Sequence, residues 1–263
     1  MKQKRIISLS PHITEILYSL DADKDLIAVS SFCTYPPQVK EKEKIGGLFD
    51  PNIEKIVSLA PTYLFGVPSH QKLDQDLHRF NLHITMLSNE TVAEVLQTID
   101  TLGQILGYPE RAGQVIDRIN AELTEIKARN RQNIPPSAML VIGREPGSLQ
   151  NLMVAGSRTF LNELWILAGG TNAFADLPVR YTAVNLEGII ERNPQVIIQF
   201  DSNQQRGILE SSGEPEWSYL KDVDAVRKKQ IYTIGGEYVF IPGPRLTLLA
   251  EDFAQIIGRM TNQ

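Results

Sequence analysis

Asn52-Ile53-Glu54-Lys55-Ile56-Val57-Ser58-Leu59-Ala60-Pro61-Thr62-Tyr63-Leu64-Phe65 recurs without a gap as Asn185-Leu186-Glu187-Gly188-Ile189-Ile190-Glu191-Arg192-Asn193-Pro194-Gln195-Val196-Ile197-Ile198. Each copy reads as a capped helix running into a buried strand. The Asn side chain accepts a backbone N–H at the N-cap, and the Glu two positions later lies in the first turn, where the helix dipole favours a carboxylate. Pro61 and Pro194 then end the helices, and an apolar run follows each. Both copies are preceded by a glycine pair and a phenylalanine: Gly46-Gly47-Leu48-Phe49, and Gly169-Gly170-Thr171-Asn172-Ala173-Phe174. The second copy inserts the stretch Ala175–Val184, which carries Pro178, Arg180 and Tyr181. Two topologically similar lobes are the economical reading.

Outward from the repeat, short β-branched runs alternate with amphipathic stretches. Arg5–Leu9, Leu26–Val29, Leu64–Val67 and Ile84–Leu87 read as strands, and Ile13–Leu20 and Leu73–Phe80 as helices. This is the βαβ rhythm of a mostly parallel sheet covered by helices. Between Thr91 and Arg131 the texture changes: one helix runs to Leu106, and Gly107 and Pro109 end it and start a second, Pro109 to about Asn130. At 1.5 Å per residue the second is about 33 Å long, a strut the width of a small domain. Asn133-Ile134-Pro135-Pro136 closes it and a new strand begins near Met139. The expected class is α/β: two α/β lobes with mostly parallel sheets joined by a single long α-helix, a ligand cleft between the lobes. The lobes are 1–107 and 133–263 and the bridging helix 108–132; the alternative is a long surface helix on a single domain.

The 263 residues carry Asp+Glu 31 against Lys+Arg 26, a net charge of −5. Without a basic block there is no electrostatic footprint for nucleic acid or anionic lipid. A lone cysteine, Cys33, reads as a small buried thiol. Ser8, Ser10, Pro11 and His12 interrupt the apolar patch behind Lys2, Lys4 and Arg5, so the start is a strand rather than a secretion signal. An export leader is then absent by nature or lies outside this chain. Nucleotide, zincin and hydrolase motifs are missing, which argues against an enzyme. His12, His70, His78 and His83 show no ligand spacing on a helix face, so they read as solvated or satisfied, and no metal cluster is expected.

Ser8-Leu9-Ser10-Pro11-His12 runs from a strand end into a helix N-terminus, which suits a polar ligand group or simple capping. Aromatics stand in expected loops: Phe32 and Tyr35 around Cys33, Tyr181 in the insertion, Tyr238 and Phe240 before the final helix, Leu246–Ile257. Loops at strand C-termini face the ligand crevice of α/β lobes, and aromatic walls suit a large, flat, partly apolar ligand. The alternative for each ring is to pin its own loop. Pro242-Gly243-Pro244-Arg245 opens the last helix, and Arg245 either faces a ligand anion or ties the loop.

The chain resembles the substrate-binding proteins of ABC importers for cobalamin and ferric siderophores. The residues that carry the resemblance are Arg5 through Glu15, Val29 through Pro37, Gly46-Gly47 with Asn52-Ile53-Glu54, Thr159 through Glu163 with Gly169-Gly170, Asn185-Leu186-Glu187 with Asn193-Pro194, and Pro242 through Arg245. The segment Ser30 through Pro37 is most similar to the vitamin B12 binders. The resemblance implies corrinoid contacts at Phe32, Tyr181 and the acid–aromatic pair Glu237-Tyr238. Ser10, Tyr35, Phe49, Phe65, Phe240 and Arg245 complete the expected ligand-binding set. Where the family often has a tryptophan after the strand Tyr63–Phe65, this chain has Gly66-Val67. The family also docks an exposed acid of each lobe on the permease; Asp74 or Asp76 and Glu210 or Glu214 are the candidates. The resemblance thus implies a non-enzymatic monomer, periplasmic or extracytoplasmic, that delivers cobalamin to an ABC permease and ATPase, with no cofactor of its own. The alternatives are a ferric-siderophore or haem binder, a zinc or manganese binder using His12 and acids of both lobes, and a cytosolic sensor on the same scaffold, cytoplasmic if the chain is complete as given.

Overall fold

The computed structural model describes residues 4–129, 134–210 and 214–261. The chain divides into two compact units, one formed by the residues to Asn89 with Ala93–Ile119, the other by Glu90–Val92 with the residues from Asn120 onward.

The first unit runs β1 (Ile6–Ser8), α1 (Pro11–Ser19), β2 (Leu26–Val29), β3 (Glu43–Lys44), α2 (Ile53–Ser58), β4 (Tyr63–Gly66), α3 (Gln71–Leu77), β5 (Thr85–Met86) and α4 (Val92–Leu106). Its five strands lie in the order β3-β2-β1-β4-β5 and every pairing is parallel. Parallel strands are covered on both faces, so their cores read as continuous apolar runs. Ile7, Leu9, Ala28, Ile45, Ile56, Leu64, Leu77 and Ile84 accordingly form one buried cluster. The helix α5 (Pro109–Arg129) is continuous over 21 residues, the portion to Ile119 belonging to the first unit and the remainder to the second. Its expected end at Asn130, the boundary at 132 and Asn133 lie outside the described residues.

The second unit runs β6 (Ser137–Gly143), β7 (Met153–Ala155), α6 (Phe160–Leu167), β8 (Thr171–Asn172), β9 (Tyr181–Ala183), α7 (Leu186–Arg192), β10 (Val196–Asp201), β11 (Gly207–Glu210), α8 (Asp224–Arg227), β12 (Ile231–Gly235) and α9 (Leu246–Thr261). The sheet order is β11-β12-β10-β6-β7-β9, with β8 also on β6. Strands β6, β8, β10 and β12 pair in parallel, while β7, β9 and β11 add antiparallel edges. The stretch Ala175–Val184 is therefore not all loop, because Tyr181–Ala183 completes a sheet edge against Met153–Ala155. The last helix continues past the expected Ile257 to Thr261. Among the described residues no helix is long and apolar enough to cross a membrane.

Both repeat copies adopt the expected cap: Asn52 Oδ1 accepts Lys55 N–H at 2.9 Å, and Asn185 Oδ1 accepts Gly188 N–H at 2.9 Å. Their ends differ from expectation. It is the residue before each proline that turns the chain, Ala60 at φ 42° and Asn193 at φ 41°, both left-handed. The proline follows a helix that has already stopped, since its ring disfavours right-handed helix at the residue before it. The glycine pairs also share a conformation, Gly46 at φ 102° and Gly169 at φ 106°, which residues with a Cβ rarely adopt. Yet Gly169 closes α6 by donating to Ile166 O at 3.0 Å, whereas Gly46 leaves a strand. The phenylalanines diverge too: Phe174 is 1% exposed in the core and Phe49 is 80% exposed.

The caps are solvent-exposed and structural, so Asn52→Ala and Asn185→Ala should each cost about 1 kcal/mol of unfolding free energy in a urea titration, while Asn→Asp at either site costs only a few tenths.

Candidate functional site

In the first sheet β1 and β4 are neighbours, but the chain leaves β1 toward β2 and leaves β4 toward β5. Such a reversal leaves the strand C-termini uncovered, which is where α/β sheets bind ligands. Ser8 ends β1 there and Ser10, His12 and Thr14 follow it, all buried. Ser10 Oγ lies 2.9 Å from His12 Nδ1, and the Thr14 hydroxyl donates to Ser8 Oγ at 2.8 Å and to Cys33 Sγ at 3.1 Å. Ser10 occupies the N-cap of α1 without a side-chain cap bond, so its hydroxyl serves the histidine instead. Cys33 is the expected buried thiol, with its ionisation pushed up by burial.

Across the reversal, His70 follows β4. Its Nδ1 accepts Val67 N–H at 3.0 Å, which leaves the proton on Nε2 to donate to Leu48 O at 2.9 Å. One buried imidazole thereby holds the loop that carries Phe49. The adjacent loop is tied in as Ser31 N–H donates to Gly46 O at 2.8 Å. Phe32, 60% exposed, and Phe49, 80% exposed, stand on these two joined loops, with Tyr35 38% exposed beside them. Burial, and then the charge of His70, hold the His12 pKa at about 3; burial also lowers that of His70. Both imidazoles are consequently uncharged at neutral pH, while Lys44, donating to Cys33 O at 2.8 Å, brings one positive charge to the loop of Phe32.

In the second sheet the reversal falls between β6 and β10, and its polar group is one that sequence reading missed. Arg144, at the end of β6, donates from Nε to Gln199 Oε1 at 2.8 Å, from Nη1 to Glu216 Oε1 at 2.6 Å, and from Nη2 to Glu214. Glu216 is held below the usual carboxylate range by its own backbone N–H and by Arg144. Nothing in the spacing of residues 144, 199, 214 and 216 announces this network, because three separate segments bring it together. The same strand ends border a cavity of about 650 Å³ lined by Leu149, Gln150, Val184, Leu186 and Tyr219, where Tyr219 is 77% exposed. None of these was expected.

Several expected residues take other positions. Phe65 is fully buried and stacks on Tyr63, because β4 is a central strand. Tyr238 is buried and its hydroxyl donates to Asp252; burial and that partner push its pKa far up. Both are core residues rather than ligand walls. Tyr181 lies on the edge strand β9 rather than in a loop, 37% exposed, with its pKa pushed up to about 12 by burial and then by Glu90. Phe240 remains 40% exposed against Phe200. Arg245 ties its loop: Nη1 meets Glu237 Oε1 at 3.2 Å. Of the acids, Asp74 accepts Ile84 N–H at 2.6 Å and lies 3.0 Å from His78 Nε2, and Glu214 is bound by Arg144, so neither is an open docking carboxylate. Asp76 and Glu210 are exposed.

Residues 6–238 match the model of a family described as periplasmic binding protein. The chain belongs to the periplasmic binding protein family. It is 27% identical over 262 residues to an uncharacterized ABC transporter substrate-binding lipoprotein of Bacillus subtilis, covering 97% of this chain and 80% of that one. The fold is similar to that of the periplasmic vitamin B12 binding protein of Vibrio cholerae, with TM-score 0.81 and 26% identity over 99% of this chain and 98% of that one. It is also similar to the periplasmic heme-binding protein of Roseiflexus sp. RS-1, with TM-score 0.76 and 26% identity over 97% of this chain and 99% of that one.

A buried neutral histidine should make this family member acid-sensitive. Between the ordinary His pKa of 6.5 and about 3, the unfolded chain binds a proton that native His12 refuses. Stability is therefore full above about pH 6.5 and falls on acidification, by up to about 1.4 kcal/mol per pH unit from this residue. Urea titrations at pH 7, 6 and 5 should show that slope, and a shallower one in His12→Asn.

Proposed function

We propose that this protein is the substrate-binding component of an ABC importer, that its cargo is a corrinoid such as cobalamin, and that it holds the cargo without acting on it chemically. The observation that carries the corrinoid reading is the combination of exposed rings at strand C-terminal loops with arginines whose charge is already met. Phe32 and Phe49 offer a broad apolar face. The arginines that an anionic cargo would need are engaged: Arg245 with Glu237 at 3.2 Å, Arg180 with Glu90 at 3.8 Å, and Arg144 with Glu214 and Glu216. Anionic siderophores and the carboxylates of haem would have to displace those partners, which costs most at Arg144, 14% exposed, and little at the exposed Arg180 pair. A large ligand of little net charge needs only the rings and a few hydrogen bonds. A ferric siderophore or haem is the second reading, favoured by the equal identity, 26%, to a vitamin B12 binder and a heme binder.

The repeat also revises the docking acids. Glu54 and Glu187 hold identical places, both exposed in the first turn of the capped helices α2 and α7. A permease that recognises two matching surfaces would read these two rather than Asp74 and Glu210, and an importer's binding protein would meet it on the extracytoplasmic side.

Calorimetric titration with cyanocobalamin, haemin and a ferric hydroxamate tests the cargo. Cyanocobalamin should bind at one site, and Phe32→Ala with Phe49→Ala should weaken it at least about tenfold, the range of a truncated anchor residue. No cyanocobalamin binding at tens of micromolar, with haemin or the chelate binding instead, contradicts the corrinoid reading. Glu54→Arg and Glu187→Arg should leave cyanocobalamin affinity unchanged and lower stimulation of the permease ATPase.

A further inference from the structure

Asp74, His78 and His83 meet at the end of the first sheet opposite to Phe32 and Phe49. The placement follows from the topology. Helix α3 starts after the C-terminal end of β4 and runs back, so His78, directly after it, reaches the N-terminal end of the strands. Strand β5 pairs in parallel with β4, Thr85 facing Phe65, so His83 lies level with the start of β4. Asn81, left-handed at φ 56°, reverses the chain between the two histidines, and Asn81 N–H donates to His78 O at 3.0 Å.

The ligating atoms of the three side chains all lie within 4.8 Å of one another. Asp74 Oδ2 is 3.0 Å from His78 Nε2, and the rings of His78 and His83 are 4.6 Å apart. Donors around a tetrahedral ion with bonds of about 2.0–2.1 Å stand about 3.4 Å apart, so small rotations of two exposed rings suffice. The carboxylate is already aimed, since its other oxygen accepts Ile84 N–H at 2.6 Å. That bond fixes Asp74 relative to His83, the residue before Ile84, in the way that second ligand-orienting contacts do in metal sites. Two imidazoles with one carboxylate select a borderline ion of the zinc class over calcium or magnesium, which want oxygen donors throughout. Exposure leaves a fourth position open to water.

We propose that Asp74, His78 and His83 form a surface site for a divalent ion of the zinc class, separate from the cargo surface. Occupation would tie α3 to the turn before β5 and stabilise the first unit by mass action. Neither the spacing of the histidines nor the proposed transport function calls for it.

Titration of the protein, free of any histidine tag, with zinc chloride by calorimetry tests the site. One zinc ion should bind per chain, with His78→Ala and His83→Ala each weakening it at least about tenfold, the usual effect of disturbing a metal site. Asp74→Asn keeps an oxygen to accept Ile84 N–H and removes the anionic ligand, so it should weaken zinc while the urea midpoint without metal stays near that of the wild type. Cyanocobalamin affinity should be the same in all three variants. No zinc binding at millimolar zinc, or zinc affinity unchanged in both histidine variants, overturns the proposal whatever the cargo proves to be.

Discussion

A parallel strand reaches its neighbour only through a crossover, so every strand in such a sheet delivers its C-terminus to the same edge. Where the winding direction reverses, no crossover covers that edge. The first sheet reverses between β1 and β4 and the second between β6 and β10. Everything functional in this account depends on how the polar groups left open at these reversals find partners. In the first unit the answer is neutral: Ser8, Ser10, Thr14, His12 and His70 bond among themselves and to the backbone. In the second it is ionic but balanced, one arginine shared by two carboxylates and a glutamine.

The two solutions have a common result. A charged crevice would demand a charged ligand, since an unpaired buried charge is expensive. Here burial keeps His12 and His70 uncharged at neutral pH and Arg144 is met by Glu214 and Glu216, which leaves the exposed rings of Phe32 and Phe49 as the main feature of the proposed cargo surface. His70 shows the economy of the arrangement, with one imidazole closing the Val67 turn and holding the loop of Phe49. His12 Nε2 is a buried polar atom without a hydrogen-bond partner among the described residues, which fits a ring held by packing and, at Nδ1, by Ser10 and Asn89.

The parts legible in the sequence are those written within one segment. Asn52 and Asn185 announced their caps, because an N-cap bond spans three residues. The strands from Ile6, Leu26, Tyr63, Val196 and Ile231 followed from apolar runs, and Phe32 and Phe49 from aromatics placed beyond strand ends. What failed needed more than one segment. Phe65 and Tyr238 look like any loop-proximal ring until sheet order puts the first in a central strand and Asp252 comes to meet the second. The repeat suggested like roles for Phe49 and Phe174, yet one is exposed and the other is core. Arg144 and its partners, and His83 beside the i, i+4 pair of Asp74 and His78, are juxtapositions made by chain reversal.

A bulky, nearly uncharged cargo resting on the strand-end loops of the first unit would protect their backbone amides. In amide hydrogen exchange, saturating cyanocobalamin should slow exchange at Ser31–Tyr35 and Gly47–Phe49 and leave 74–83 unchanged. Protection confined to 74–83, or none at either strand-end loop, would show that the cargo rests elsewhere.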